Sequence, residues 1–277
     1  MLPGMWPTFI DFANQAADKS PDFSLGAQAD SLYEYLPKMA ALLGGRDPAY
    51  EKMYRAAMAT AEEHLLFRPM LPDGDDLLFA GDVRVRAGEE APQLIPNSQH
   101  LNCFVGGMFG LGGKLFGIRE HVVTAEKLAR GCAWAYSVFP TGIMPEIFGL
   151  LPCPSRAECE WDEERWQSQG DSRLPKGFTH ARDPRYILRP EAIESIFLMY
   201  RLTGKPEYQD MAWRMFVAIQ ASTATDEANS AIKDVTVDPS DVTKFDQMEV
   251  SLRNPFALLQ APSNPAVLGR VSGWPRP

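Results

Sequence analysis

The chain has no uninterrupted apolar run of the ~18 residues that a bilayer-spanning helix needs. Its first residues, MLPGMWPTFIDFANQ, lack the basic start and continuous apolar core of a signal peptide. Cysteine is scarce, at four, and none lies in a C-x-x-C zinc arrangement. There is no Asn-x-Ser/Thr sequon. The chain has no G-x-S-x-G, no P-loop and no G-x-G-x-x-G opening a helix, so neither nucleophilic serine chemistry nor nucleotide binding has support. Positive charge is short: 27 Lys and Arg against 36 Asp and Glu leave a net −9. That balance argues against non-specific nucleic-acid binding, which needs a basic surface. It suits a neutral sugar, or carboxylates gathered round a cation.

What is present is an ordinary globular composition, 45% hydrophobic and 23% charged over 277 residues, enough for one large or two small domains. Leu32, Tyr35, Leu36, Met39, Leu42 and Leu43 repeat with helical period. Asp30 or Ser31 reads as the N-cap of that helix, Gly44-Gly45 as its stop, and Pro37 as a kink or an early break. A second helix starts near Pro48. The same design returns from Pro190 to Gly204 and again from Pro206. Gly45-Arg46-Asp47-Pro48-Ala49-Tyr50-Glu51-Lys52-Met53 aligns with Thr203-Gly204-Lys205-Pro206-Glu207-Tyr208-Gln209-Asp210-Met211, holding proline, tyrosine and methionine at one spacing. A third pair is expected between His100 and Phe139. Repeated helical hairpins point to a solenoid or a closed α/α toroid. The proline-rich stretches 66–100 and 140–189 read as long irregular loops, which are usually functional or disordered.

Carboxylates recur at element boundaries. In Tyr186-Ile187-Leu188-Arg189-Pro190-Glu191-Ala192-Ile193-Glu194-Ser195, proline stands at the first helical position and Glu191 and Glu194 share a face. Such a pair does acid/base work or holds a metal; the plain alternative is a first turn that favours acids through the helix dipole. Asp30 is read either as a functional carboxylate or as an N-cap. His100 precedes Gly106-Gly107, which would let backbone approach a ligand; the plain alternative is a hydrogen-bonded structural histidine. Glu146 and the Asp246–Glu249 acids read alone as solvated.

Taken in order, GAQADSLYEYL (26–36), HLNCFVGGM (100–108), TGIMPE (141–146), YILRPEAIES with its continuation IFLMYRLTGKPEYQDMAW (186–213) and FDQME (245–249) resemble the class I α-1,2-mannosidases, glycoside hydrolase family 47. The resemblance implies an all-α (α/α)7 barrel and a calcium ion. It also implies inverting hydrolysis of α-1,2-linked mannose from high-mannose N-glycans on glycoproteins. It makes Glu191 the general base and Asp30 a second catalytic carboxylate. Gln28, His100, Glu146, Arg189 and Glu194 become sugar-cavity residues, with Glu194 and Glu249 holding the calcium through water. It implies a Cys103–Cys132 disulfide; Cys153 and Cys159 offer a second, local bridge. Such bridges fit the secretory pathway, whether endoplasmic reticulum, Golgi or secreted. A non-hydrolytic glycan-recognition protein, like the degradation-enhancing mannosidase-like proteins of the endoplasmic reticulum, is the other reading of the same motifs.

The chain also departs from the family. The family's F-E-x-x-I-R-x-L-G-G-L-L glutamate, its usual general-acid candidate, has no counterpart, nor have the early hairpins. The match ends at Glu249, before the family's calcium-binding threonine. Residues 1–249 therefore read as a partial catalytic domain and 250–277 as a divergent, irregular tail. An incomplete toroid is expected to be poorly stable or aggregation-prone and to bind calcium weakly, and inactivity of the chain is one of its expected outcomes. At Gln28 the endoplasmic-reticulum enzymes carry arginine. Glutamine lacks that forked cationic donor set, so Golgi-like or secreted fungal-type specificity is expected.

Overall fold

The periodic segments become helices in the computed structural model, which describes residues 2–17, 20–86 and 91–247. Helix α1 (Asp30–Leu42) is followed by α2 (Pro48–His64), α3 (Phe104–Leu115), α4 (Arg119–Val138), α5 (Glu163–Gln169), α6 (Glu191–Thr203) and α7 (Glu207–Thr223). Their ends follow local chemistry. Gly44 and Gly45 take positive φ, and the Gly45 N–H returns to the Ala40 carbonyl at 2.8 Å, closing α1. Pro48 opens α2, with the Asp47 carboxylate accepting from Ala49 N at 3.0 Å. Gly204, at φ 71°, ends α6.

Three details differ from the sequence reading. Pro37 neither breaks nor shortens α1, which runs through it with Pro37 buried. The cap of α1 is Ala29, with no side-chain cap bond, and Pro190 precedes the first residue of α6, Glu191.

The helices pair as α1 with α2, α3 with α4, and α6 with α7, and α3 also packs against both α1 and α6. Glycines in α3 allow this. A Cβ on Gly106 would stand 3.1 Å from Ala129 N in α4, and one on Gly107 3.2 Å from Ser195 Oγ in α6. The glycine pair after His100 therefore serves helix–helix contact, not the approach of backbone to a ligand. One cluster of buried side chains joins all three pairs, including Tyr33, Tyr54, Phe109, Tyr136, Ile196 and Tyr208.

The described residues are helix-rich, as the all-α expectation has it, but they also carry short sheets that it did not include. Ten short strands occur among the described residues: β1 (Asp22–Phe23), β2 (Leu66–Phe67), β3 (Phe79–Ala80), β4 (Asp82–Arg84), β5 (Gln93–Ile95), β6 (Asn97–Gln99), β7 (Ile147–Leu150), β8 (Phe178–Asp183), β9 (Ala231–Ile232) and β10 (Lys244–Phe245). They pair antiparallel as β1-β4-β5, β2-β3, β6-β7-β8 and β9-β10. The connections bury backbone over the helices, and buried N–H and C=O groups need partners. Strands of two to six residues supply them without leaving a legible alternating pattern. Closure into a seven-hairpin barrel is not seen; three long hairpins are present among the described residues. Residues 250–277, the expected irregular tail, lie outside the described residues, as does Glu249.

Both disulfides form. Cys103–Cys132 ties the start of α3 to α4, and Cys153–Cys159 closes a local loop.

Candidate active site

The buried polar residues converge where α6 begins. His100 lies just after β6, Glu146 just before β7, and Arg189 and Glu191 at the mouth of α6. The His100 N–H donates to the Glu146 carbonyl at 2.9 Å, and the Glu146 N–H to the Arg185 carbonyl at 3.0 Å. Paired backbone thus brings residues 46 and 89 apart in sequence to one place. Leu188 stands at φ 63°, and Tyr186 is pinned by a two-way bridge to Ile232 at 3.0 and 3.1 Å. A branched side chain at positive φ is uncommon and strained, and such strain gathers at functional sites. Here it turns the chain so that Arg189 points back at Glu146.

His100 is fully buried. Its Nε2 shares a 2.7 Å hydrogen bond with the Tyr136 hydroxyl, and Tyr186 packs on its ring with centroids 5.5 Å apart. Its Nδ1 faces Glu191 Oε2 at 3.8 Å. Arg189 Nε donates to Glu146 Oε2, while its Nη1 lies 3.8 Å from Glu191 Oε1. Three buried atoms here have no hydrogen-bond partner: His100 Nδ1, Glu146 Oε1 and Glu191 Oε2. Leaving such groups unpaired costs about 1–3 kcal/mol each. A cluster of them marks a place built for hydroxyls or water.

Burial raises the Glu146 carboxyl above its usual range, an effect that His100 and Arg189 oppose. Burial also raises Glu194, with Lys38 opposing it and Glu34 and Glu191 adding to it. The Tyr136 and Tyr186 hydroxyls are pushed upward, mainly by burial, and stay protonated as donors.

Glu194 lies one turn into α6, with Lys38 Nζ at 3.5 Å from its Oε1. Lys38 also binds Glu34 on its own helix. Asp30, Glu34 and Lys38 follow at four-residue steps, so they share a face of α1. Asp30 is half-buried and accepts from Ser31 N at 2.8 Å. Gln28 is exposed, at φ 75°, apart from the buried cluster. The Ala27 N–H beside it donates to Gln99 Oε1 at 3.3 Å.

The sequence reading thus named the centre of the cluster: His100, Glu146, Arg189 and Glu191 meet. It took Glu146 alone as solvated, whereas its side chain is only 6% exposed. It missed Tyr136 and Tyr186, which hold the histidine, and Lys38, which links α1 to α6. Tyr186 opens the Y-I-L-R-P-E motif and was legible as part of it; Tyr136 sits in an ordinary amphipathic helix and gave no signal. Ser195 was also missed: its Oγ accepts from Gly107 N at 2.8 Å and donates to the Cys103 carbonyl, locking α6 to α3.

Among the described residues, no three His, Cys, Asp or Glu side chains gather to hold a metal ion. Unpaired oxygens of Glu146 and Glu191 fit water, and so a cation held at one remove.

The helical hairpins thus bring carboxylates, an arginine and a buried histidine together at the start of α6. The chain belongs to glycosyl hydrolase family 47, whose family model matches residues 1–251. It is 36% identical over 227 residues to the mannosyl-oligosaccharide alpha-1,2-mannosidase of Coccidioides posadasii, covering 82% of this chain and 40% of that one. It is 31% identical over 249 residues to that of Penicillium citrinum, covering 90% and 44%. Among solved structures it matches the alpha-1,2-mannosidase from Trichoderma reesei with TM-score 0.74 and 30% identity, over 90% of this chain and 48% of that one. The chain thus spans less than half the length of these relatives.

Proposed function

We propose that this chain carries the base side of an inverting α-1,2-mannosidase site acting on high-mannose N-glycans of the secretory pathway. The observation that carries this reading is the unpaired trio His100 Nδ1, Glu146 Oε1 and Glu191 Oε2 beside Arg189. Hydroxyls of a mannose and one water satisfy those atoms.

In the reaction, Glu191 takes a proton from water. The water oxygen attacks the anomeric carbon on the face opposite the leaving group, and the bond from that carbon to the departing mannose oxygen breaks. The departing oxygen takes its proton from the second carboxyl group, in its acid form on the leaving-group side. Inversion needs two carboxyl groups ~6.5–9.5 Å apart, leaving room for that water. Asp30, on α1, is the second catalytic carboxylate. Arg189 and His100 orient Glu191 through its two oxygens, at 3.8 Å each. Glu146 fixes Arg189 in turn.

Calcium is the proposed cofactor, held through water by Glu194 and Glu249. Bound there, it would supply a hard cation for oxygen ligands and orient sugar hydroxyls. A family (α/α)7 barrel is the proposed architecture of the whole domain. Two disulfides support an oxidising compartment. The exposed Gln28 supports specificity of the Golgi or secreted fungal type.

The test is proton NMR of α-1,2-linked mannobiose with the chain and calcium. The first mannose released should be the β-anomer, and Glu191→Gln should abolish release. Release of the α-anomer would refute inversion. Sugar binding without any release would move the chain to the glycan-recognition reading.

A further inference from the structure

Helices α1 and α6 carry the two proposed catalytic carboxylates, Asp30 and Glu191. Their charged faces meet at one cation. Lys38 Nζ lies 3.5 Å from Glu194 Oε1 and also binds Glu34. Glu34 stands one turn after Asp30 on α1, and Glu194 stands one turn after Glu191 on α6. Two carboxylates, Glu34 on α1 and Glu194 on α6, therefore face a single ammonium. Glu34 and Glu194 repel each other, and Lys38 offsets that repulsion.

We propose that Lys38 is a positioning residue, an electrostatic clasp that sets α1, which carries Asp30, against the first turn of α6, which carries Glu191. One Lys38 contact stays on α1 and the other crosses to α6, so the clasp acts on the spacing of the two helices and not on either carboxylate alone. That spacing is what admits one water and one sugar in an inverting site. The side chains of Lys38 and Glu194 are 38% and 35% exposed. Exposed pairs of this kind contribute little to global stability. A charge-removing variant is therefore expected to fold.

The kinetic part of the inference rests on the hydrolase reading; the structural part does not. The experiment compares wild type, Lys38→Met and Lys38→Arg in the full chain. Hydrogen–deuterium exchange is followed in peptides covering 30–43 and 189–203, together with kcat and KM on α-1,2-linked mannobiose. Lys38→Met should speed exchange in both peptides about threefold, the size expected when a half-exposed ion pair is lost. It should lower kcat about 100-fold, as displacement of reacting groups by an ångström does, with KM changed far less. Lys38→Arg should restore both, because the guanidinium keeps the charge and the reach. Unchanged exchange in Lys38→Met, or a Lys38→Arg variant as impaired as Lys38→Met, would overturn the clasp. A wild-type chain without turnover would sink the hydrolase reading alone, and the exchange comparison would still decide on Lys38.

Discussion

Removing the arginine that faces Glu146 is the most revealing perturbation of the cluster. Glu146 and Arg189 have side chains only 6% and 16% exposed, so their ion pair is buried. Taking away one partner of a buried pair costs about 3–5 kcal/mol, because the other charge is left uncompensated. Arg189→Met should therefore destabilise the chain by about that much at pH 7, a large share of the ~5–15 kcal/mol of a typical domain. The pH dependence follows from sign. Burial holds the Glu146 carboxyl above the usual 4.5 even with Arg189 present. A carboxyl raised in the folded state contributes stability that is full below about pH 4.5 and is lost as pH rises through its folded value. Without Arg189 that folded value climbs further, so the loss at neutral pH grows. The deficit of Arg189→Met should thus be large at pH 7 and shrink by pH 4.5, where Glu146 is protonated. Adding Glu146→Gln to Arg189→Met should recover part of the deficit at pH 7. Urea unfolding followed by the fluorescence of the six tryptophans reports each value. A deficit below about 1 kcal/mol, as at a surface pair, would refute the buried-pair argument. So would one that does not change with pH.

Other outcomes follow from the same structure. Replacing Cys103 and Cys132 together by alanine opens a link between residues 29 apart in sequence and should cost about 3–4 kcal/mol in urea unfolding, against about 2 kcal/mol for the Cys153–Cys159 link of separation 6. Gly131→Ala places a Cβ 2.5 Å from the Leu78 carbonyl oxygen, a backbone atom that cannot swing aside; a loss of about 1–3 kcal/mol is expected by thermal melting. Ser195→Ala leaves the Gly107 N–H unpaired in the core and should cost about 1–3 kcal/mol, while Ser195→Thr is excluded as a mild control by the tight α3–α6 contact. Glu191→Gln should leave unfolding nearly unchanged and remove turnover of mannobiose.

Much of the helical frame was legible because it rests on local rules. Pro48, Gly44-Gly45 and Gly204 punctuate helices wherever they occur, and the P-x-Y-x-x-M spacing survives in both later helices of the repeat. The strands escaped because pairing such as β7 with β8 is decided by distant backbone, over two to six residues, with no periodic signal. The early break expected at Pro37 does not occur, since α1 continues through it with Pro37 buried. At the site, Arg189, Glu191 and Glu194 were legible from one motif. The burial of Glu146 was not, since only its backbone link to Arg185 and its pair with Arg189 take it out of water. Tyr136 and Lys38 belong to helices whose periodicity says nothing of what their polar ends touch.

The most direct test of the account is mass spectrometry of a high-mannose N-glycan incubated with the full chain, once with calcium and once with EDTA. The account predicts stepwise loss of mannose with calcium and none with EDTA. It also predicts no loss from Glu191→Gln in either condition. An intact glycan in all incubations, or mannose loss that survives Glu191→Gln, would contradict it.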